Sequence, residues 1–240
     1  MSFRQAARFA RREMRAGLRG FRLFLACLAL GVAAIAAVGS VRAAIEAGLQ
    51  REGAALLGGD AEIELTYRFA DTAEKAWMAE QAEMVSEIAE FRSLAVVGED
   101  RALTQIKAVD GAYPLIGALE LSPDITVDEA LTPMDGLPGA VMERALVDRL
   151  GLEVGSAFQL GTQDFRLMAV IEREPDAAAS GFSLGPRTLL RTDALAQSGL
   201  LAPGTLFYSK YRLRLATDTD LQALKEEAEK TFENLSLIHI

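Results

Sequence analysis

The nineteen positions from Leu23 to Val41 carry no charge, and the apolar pattern on both sides of this run has helical rather than extended spacing. As a helix rising 1.5 Å per residue, the run covers about 28 Å, close to the hydrocarbon thickness of a bilayer. Upstream, Ala6, Ala10, Met14 and Leu18 recur every fourth residue, while Arg4, Arg8, Arg11, Arg15 and Arg19 occupy another face. Residues 1–22 therefore read as an interfacial elbow helix and 23–41 as a transmembrane helix. Downstream, Val41, Ile45, Leu49 and Leu56 continue an apolar stripe, which extends the helix as a stalk over 42–58. Gly58 and Gly59 provide the backbone freedom of a helix C-terminus, so the helix is expected to stop near Leu57.

Beyond the stalk the period changes. Ala61, Ile63 and Leu65 alternate with Glu62, Glu64 and Thr66, the pattern of a strand with one wet face. Asp71 with Glu74 forms a capping-box pattern that predicts a helix to about Ile88, followed by strands at Phe91–Val97 and Ala102–Val109. Four of the seven prolines fall within Tyr113–Gly139, which reads as irregular connection. A helix is predicted from Val141 to Leu150, ended by Gly151. Phe158 and Leu160, then Phe165, Leu167 and Ala169, give a hairpin across a turn at Gly161–Asp164. Tyr211, Leu213 and Leu215 alternate with Lys210, Arg212 and Arg214 in a last strand, and Thr219 with Gln222 caps a helix through Phe232. Residues 59–234 thus predict an α+β region, ample for a single globular domain or two small subdomains and expected to be incomplete, and no internal repeat is visible.

Charge divides the chain at the membrane segment. Residues 1–22 hold seven arginines against Glu13, whereas residues 43–240 carry a net charge of −16. The positive-inside rule places the arginines in the cytoplasm and the acidic domain outside. Nucleic acid is a poor partner for such a chain, because the dense basic segment lies beside the bilayer. Anionic lipid headgroups fit it better, with Arg11, Arg12, Arg15, Arg19 and Arg22 as candidate contacts. The sole cysteine, Cys27, sits in the apolar run, so the domain has no disulfide and must be held by its core. The small residues Ala36–Ser40 also fit a signal-peptidase site, but the apolar run is longer than the usual signal core.

Arg12-Glu13-Met14-Arg15-Ala16-Gly17-Leu18-Arg19-Gly20, the Ala/Leu-rich span and Leu56-Leu57-Gly58-Gly59-Asp60 recur here in a characteristic order. They are followed by Leu150-Gly151-Leu152, Val154-Gly155, the Phe165–Ile171 strand running into Glu172-Arg173-Glu174-Pro175-Asp176, and Gly185-Pro186-Arg187. This succession resembles the FtsX-like, MacB-type ABC transporter permeases, in particular their YbbP-like branch. The resemblance implies a permease subunit of the bacterial inner membrane: cytoplasmic N-terminus, MacB-like periplasmic domain, further membrane helices after it. It also implies a separate cytoplasmic ABC ATPase, a second permease copy and no cofactor. The transmission would be mechanical, with Leu56, Leu57, Gly58, Gly59 and Asp60 as the joint between stalk and outer domain.

Rival chemistry is sparse. Gly181-Phe182-Ser183-Leu184-Gly185 matches the G-x-S-x-G nucleophile elbow, which would make Ser183 the nucleophile of a secreted hydrolase. The only histidine is His239, and Pro186 follows where an elbow needs a helix, so the segment reads as a loop. No P-loop pattern occurs, and Asp218, Asp220, Glu226, Glu227 and Glu229 lack EF-hand spacing. No catalytic or metal residue is assigned. Trp77 and Met78 read as core or rim residues. A membrane-anchored binding or sensor module shares the same gross features. Finally, Leu235-Ser236-Leu237-Ile238-His239-Ile240 breaks the acidic helix pattern and looks like a translated transposase adaptor, so residues 235–240 are expected to be a non-native tail. A natural C-terminal strand is the alternative.

Overall fold

A computed structural model describes residues 3–176, 185–201, 204–232 and 235–239. In chain order its elements are α1 (Phe3–Leu57), β1 (Ala61–Thr66), α2 (Thr72–Gln81), β2 (Met84–Val97), β3 (Asp100–Val109), β4 (Glu120–Ser122) and α3 (Val127–Leu131). Then come β5 (Gly139–Glu143), α4 (Arg144–Leu150), β6 (Ala157–Leu160), β7 (Gln163–Arg173) and β8 (Arg187–Arg191). The last are α5 (Leu195–Ser198), β9 (Phe207–Arg214), α6 (Leu221–Thr231) and β10 (Leu235–His239). The chain divides into two compact units, residues 1–51 and 52–240.

In the first unit α1 runs unbroken through the segments read as elbow, span and stalk. Residues Arg22–Ile45 are long and apolar enough to cross a membrane, and none of their side chains is buried. Leu23, Phe24, Leu30, Ile35 and Val38 all lie more than half exposed. An apolar surface on every side of a helix is stable only where something other than water covers it.

The second unit is the α+β domain, and it contains the last turn of α1. Its sheet runs β10-β1-β9-β2-β3-β8-β5-β7-β4, with β3–β8 and β5–β7 parallel. β6 pairs with both β2 and β7, so the ladder β2-β3-β8-β5-β7-β6 closes on itself. Phe91, Ile106, Met142, Phe158, Phe165 and Leu190 pack together in the core cluster of this ring, with Leu146 and Leu150 of α4. Beside it, β1 and β9 form a wing. Their alternate residues Ile63, Leu65, Tyr211 and Leu213 pack onto Met78 of α2 and Leu224, Ala228 and Phe232 of α6. Trp77 meets Phe232 edge-on at 5.4 Å, so both Trp77 and Met78 serve the core as expected.

Several elements differ from the sequence reading for identifiable reasons. The capping box at Asp71 and Glu74 is present with both of its hydrogen bonds. However, α2 ends at Gln81, because Met84–Ile88 pair with β9 (Val85 against Leu213) and extend β2 instead. Val141 and Met142 belong to β5, where they pair with β8, and helix α4 begins only at Arg144. Within 113–139 the chain forms β4 and α3, the latter capped by Thr126 and Glu129. The cap of α6 is Asp220, whose carboxylate accepts from the N–H groups of Gln222 and Ala223. Leu235–His239 adds to the outer edge of β1 as β10, with Ile63 opposite Ile238. An apolar extended segment beside an unpaired sheet edge gains main-chain hydrogen bonds whatever its origin.

Candidate functional site

The expected joint lies at the base of β1. Gly58 adopts φ +74, and the N–H groups of Gly58 and Gly59 both donate to the Ala54 carbonyl, at 2.9 and 3.1 Å. These bonds close the helix in a Schellman-type cap that glycine adopts at no steric cost. The next residue fixes the chain to β9: Asp60 N–H donates to the Leu213 carbonyl at 2.9 Å, and its carboxylate accepts from Leu215 N–H at 2.8 Å. Of the five residues expected to form the joint, Gly58 and Gly59 are buried, Leu57 and Asp60 are half-buried, and the Leu56 side chain lies outside the described residues.

Directly beneath Gly58 lies a layer of buried charge. Glu62 and Arg212 were expected on a wet strand face, yet they are only 2% and 1% exposed. The segment after β7 covers that face, bringing Glu174 and Asp176 over β3 and β9. Lys107 Nζ donates to Glu174 at 2.6 Å and to Asp176 at 2.5 Å, beneath the Tyr113 ring. Arg187 pairs with the other oxygen of Glu174, and Arg212 pairs with Asp176. Arg212 Nε also donates to Glu62 at 2.9 Å. Lys210 completes the row, 3.1 Å from Glu90 and 3.9 Å from Glu62. Acids and bases therefore alternate, as buried charges must if each is to be compensated. The Arg212 guanidinium is also a cation beside the C-terminal end of a helix, where the backbone dipole favours it.

The electrostatics of the layer follow from this alternation. Burial opposes ionisation of Asp176, but Lys107 and Arg212 outweigh it and hold the carboxyl well below its usual range. Burial likewise disfavours the Lys210 ammonium, and Glu90 and Glu62 overcome it and push the amine up. Burial, reinforced by Asp176 and Glu174, raises the Tyr113 phenol, which stays protonated and donates to Asp176 at 3.0 Å. Away from the layer, Glu74 is lowered by its hydrogen bonds from Arg68.

A pH dependence follows. Asp176 and Glu74 titrate lower folded than unfolded, so the stability they contribute is complete above about pH 5 and is lost as pH falls through their folded values. Lys210 titrates higher when folded, so its contribution is complete below about pH 10 and is lost as pH rises further. Unfolding followed by the single tryptophan, Trp77, is expected to give a flat midpoint between these limits and a fall outside them. A decline beginning near neutrality would contradict this assignment.

Sequence reasoning placed the end of α1 at Leu57 but missed the layer, since alternation reveals which residues share a face and not whether that face is covered. The family-like motifs did contain Glu174, Asp176 and Arg187, without a role. Arg22 is exposed, whereas the side chains of Arg11, Arg12, Arg15 and Arg19 lie outside the described residues, as does Ser183. Among the described residues no group of His, Cys, Asp and Glu is arranged to hold a metal.

Residues 23–231 match the family model of the MacB-like periplasmic core domain. The uncharacterized ABC transporter permease YbbP of Escherichia coli K12 is 24% identical over 188 residues, which is 77% of this chain and 22% of the relative. The chain thus spans about a fifth of that protein. The periplasmic region of MacB from Actinobacillus actinomycetemcomitans aligns with 9% identity and a TM-score of 0.48, covering 78% of this chain and 92% of its own. The extracellular domain of the noncanonic ABC-type transporter YknZ from Gram-positive bacteria aligns with 11% identity and a TM-score of 0.47, covering 72% and 97%.

Proposed function

The chain belongs to the MacB-like periplasmic core domain family, and from that premise we propose that it is part of a permease subunit of an ABC transporter. The apolar part of α1 crosses the bacterial inner membrane with its arginines in the cytoplasm, and the α+β domain works on the periplasmic side. A separate ATPase binds nucleotide, and a second permease copy completes the assembly. Arg11, Arg12, Arg15, Arg19 and Arg22 contact anionic headgroups. ATP-driven displacement of the membrane helices reaches the outer domain through Leu56–Asp60. The domain then moves a hydrophobic or lipid-linked substrate during export or extraction.

One observation supports this reading above the others: the end of α1 is fastened to β9 through Asp60 and sits on the Arg212–Asp176 pair. A rigid element transmits displacement only if its end is fixed to its load. Proline at Ala47 tests the transmission, because it deletes a helix hydrogen bond and clashes with the carbonyl four residues earlier, at a cost of about 3 kcal/mol. In the complete transporter, Ala47→Pro is expected to keep ATP turnover while losing nucleotide-dependent motion of the outer domain, read by a fluorophore pair on that domain. Unchanged transport would count against the lever.

A further inference from the structure

On the same sheet face as the charged layer, an open groove of about 720 Å³ lies between β1, β9, β2 and β3. That is within the size range of small-molecule sites. Its charged lining consists of Glu64, Glu90, Arg92 and Lys210, so its charges cancel. Lys210 already engages both acids, 3.1 Å from Glu90 and 3.7 Å from Glu64, and Glu90 and Lys210 are more than nine-tenths buried. The rim is apolar and aromatic: Leu206 is 67% exposed, Tyr67 54% and Tyr208 44%.

These features exclude most ligand classes. A cation would have to draw the carboxylates away from Lys210, whose buried ammonium cannot be left unpaired. An anion would depend on Arg92, which is exposed and therefore a weak attractor, in a region (residues 43–240) whose net charge is −16. A purely apolar body would strip water from the Arg92 guanidinium and the Gln105 amide without replacing its hydrogen bonds. What remains is a neutral ligand with apolar faces and hydrogen-bonding edges.

The aromatic pair narrows the choice. The Tyr67 and Tyr208 rings lie 6.4 Å apart and are tilted by 38°. A planar base held between them would need parallel faces about 7 Å apart, two van der Waals layers. Their faces are the negative side of the ring quadrupole, which attracts the C–H bonds on the face of a sugar ring. Tyr67 also holds φ +62, a left-handed conformation that glycine adopts freely and a bulky residue resists. Strain of this kind, held at an exposed residue, is found at ligand clamps. We infer that the groove binds a neutral saccharide, its ring faces on Tyr67 and Tyr208 and its hydroxyls on the Arg92 guanidinium, whose planar fork of donors suits neighbouring oxygens.

The test uses the full chain labelled with fluorotyrosine in nanodiscs of phosphatidylglycerol, titrated with cellotetraose, maltotetraose and chitotetraose as probes. The four tyrosines give separate fluorine resonances. With at least one probe, those of Tyr67 and Tyr208 are expected to shift saturably with a dissociation constant of about 1 mM or below, while those of the buried Tyr113 and Tyr211 stay fixed. Tyr67→Gly relieves the strained backbone and so keeps the fold, yet it should weaken binding roughly three- to tenfold, read from Tyr208. Arg92→Ala should do the same, with unmoved Tyr113 and Tyr211 resonances reporting an intact fold. No saturable shift with any of the three probes, an equal response to tetragalacturonate or to adenosine, or full affinity in Tyr67→Gly would overturn the assignment. Each of these results leaves the Ala47→Pro outcome untouched, so the groove and the lever fail separately.

Discussion

Arg212→Leu is expected to destabilise the α+β domain by about 3–5 kcal/mol, the cost of breaking a buried ion pair from one side. The guanidinium joins two buried acids, Glu62 and Asp176. Its loss leaves Glu62 with Lys210 at 3.9 Å, and leaves Asp176 with Lys107 and Tyr113. Neither carboxylate can regain water, since Asp176 is fully buried and Glu62 nearly so. Removing the charge from both sides is a different experiment. In Arg212→Leu with Asp176→Leu, Lys107 keeps Glu174 and the site becomes more apolar, so the double variant should lose less than the sum of the two singles. Urea titration monitored by Trp77 fluorescence measures all three. An exposed pair serves as the reference: Arg173 and Glu120 are 2.6 Å apart but largely in water, and Arg173→Leu should change stability little. If Arg212→Leu were equally silent, the layer would not be a structural element.

The contrast between those two pairs also explains how much could be read from the sequence. Local chemistry was legible: Asp71 with Glu74 as a capping box, Gly58 and Gly151 as left-handed helix ends, Phe158 opposite Phe165 in a hairpin. Each depends on residues within about ten positions of one another, where backbone sterics and side-chain capping decide the outcome. Boundaries set by distant partners were not legible. Met84–Ile88 continue a helical pattern until β9, more than a hundred residues later, pairs with them. Val141 and Met142 fit a helix as well as a strand, and β8 settles the choice. The charged layer is the extreme case. Glu62, Lys210 and Arg212 follow the polar half of an alternating pattern, and only the return of Glu174–Asp176 across that face makes it an interior.

Gly58→Ala is expected to be the most damaging of the glycine substitutions near the stalk, and a second glycine separates its two causes. Gly98 also has positive φ, +59, but nothing lies within 4 Å of where its Cβ would stand. Gly98→Ala should therefore cost only the backbone penalty, about 1–2 kcal/mol. At Gly58 the same penalty applies, and the new Cβ would also stand 2.6 Å from Arg212 Nη1 and 3.1 Å from Asp176 Cβ. The far end of an arginine can usually swing aside. Here it is fixed between Glu62 and Asp176, so moving it breaks buried ion pairs, and the total should reach about 3 kcal/mol or more. The difference between the two variants, from urea midpoints at constant slope, isolates the contact between the helix end and the charged layer. A positive difference together with lost coupling in the complete transporter would tie the lever to Arg212 and Asp176. Equal costs for Gly58→Ala and Gly98→Ala would mean that the helix end does not bear on those charges, and the proposed route of transmission would have to run elsewhere.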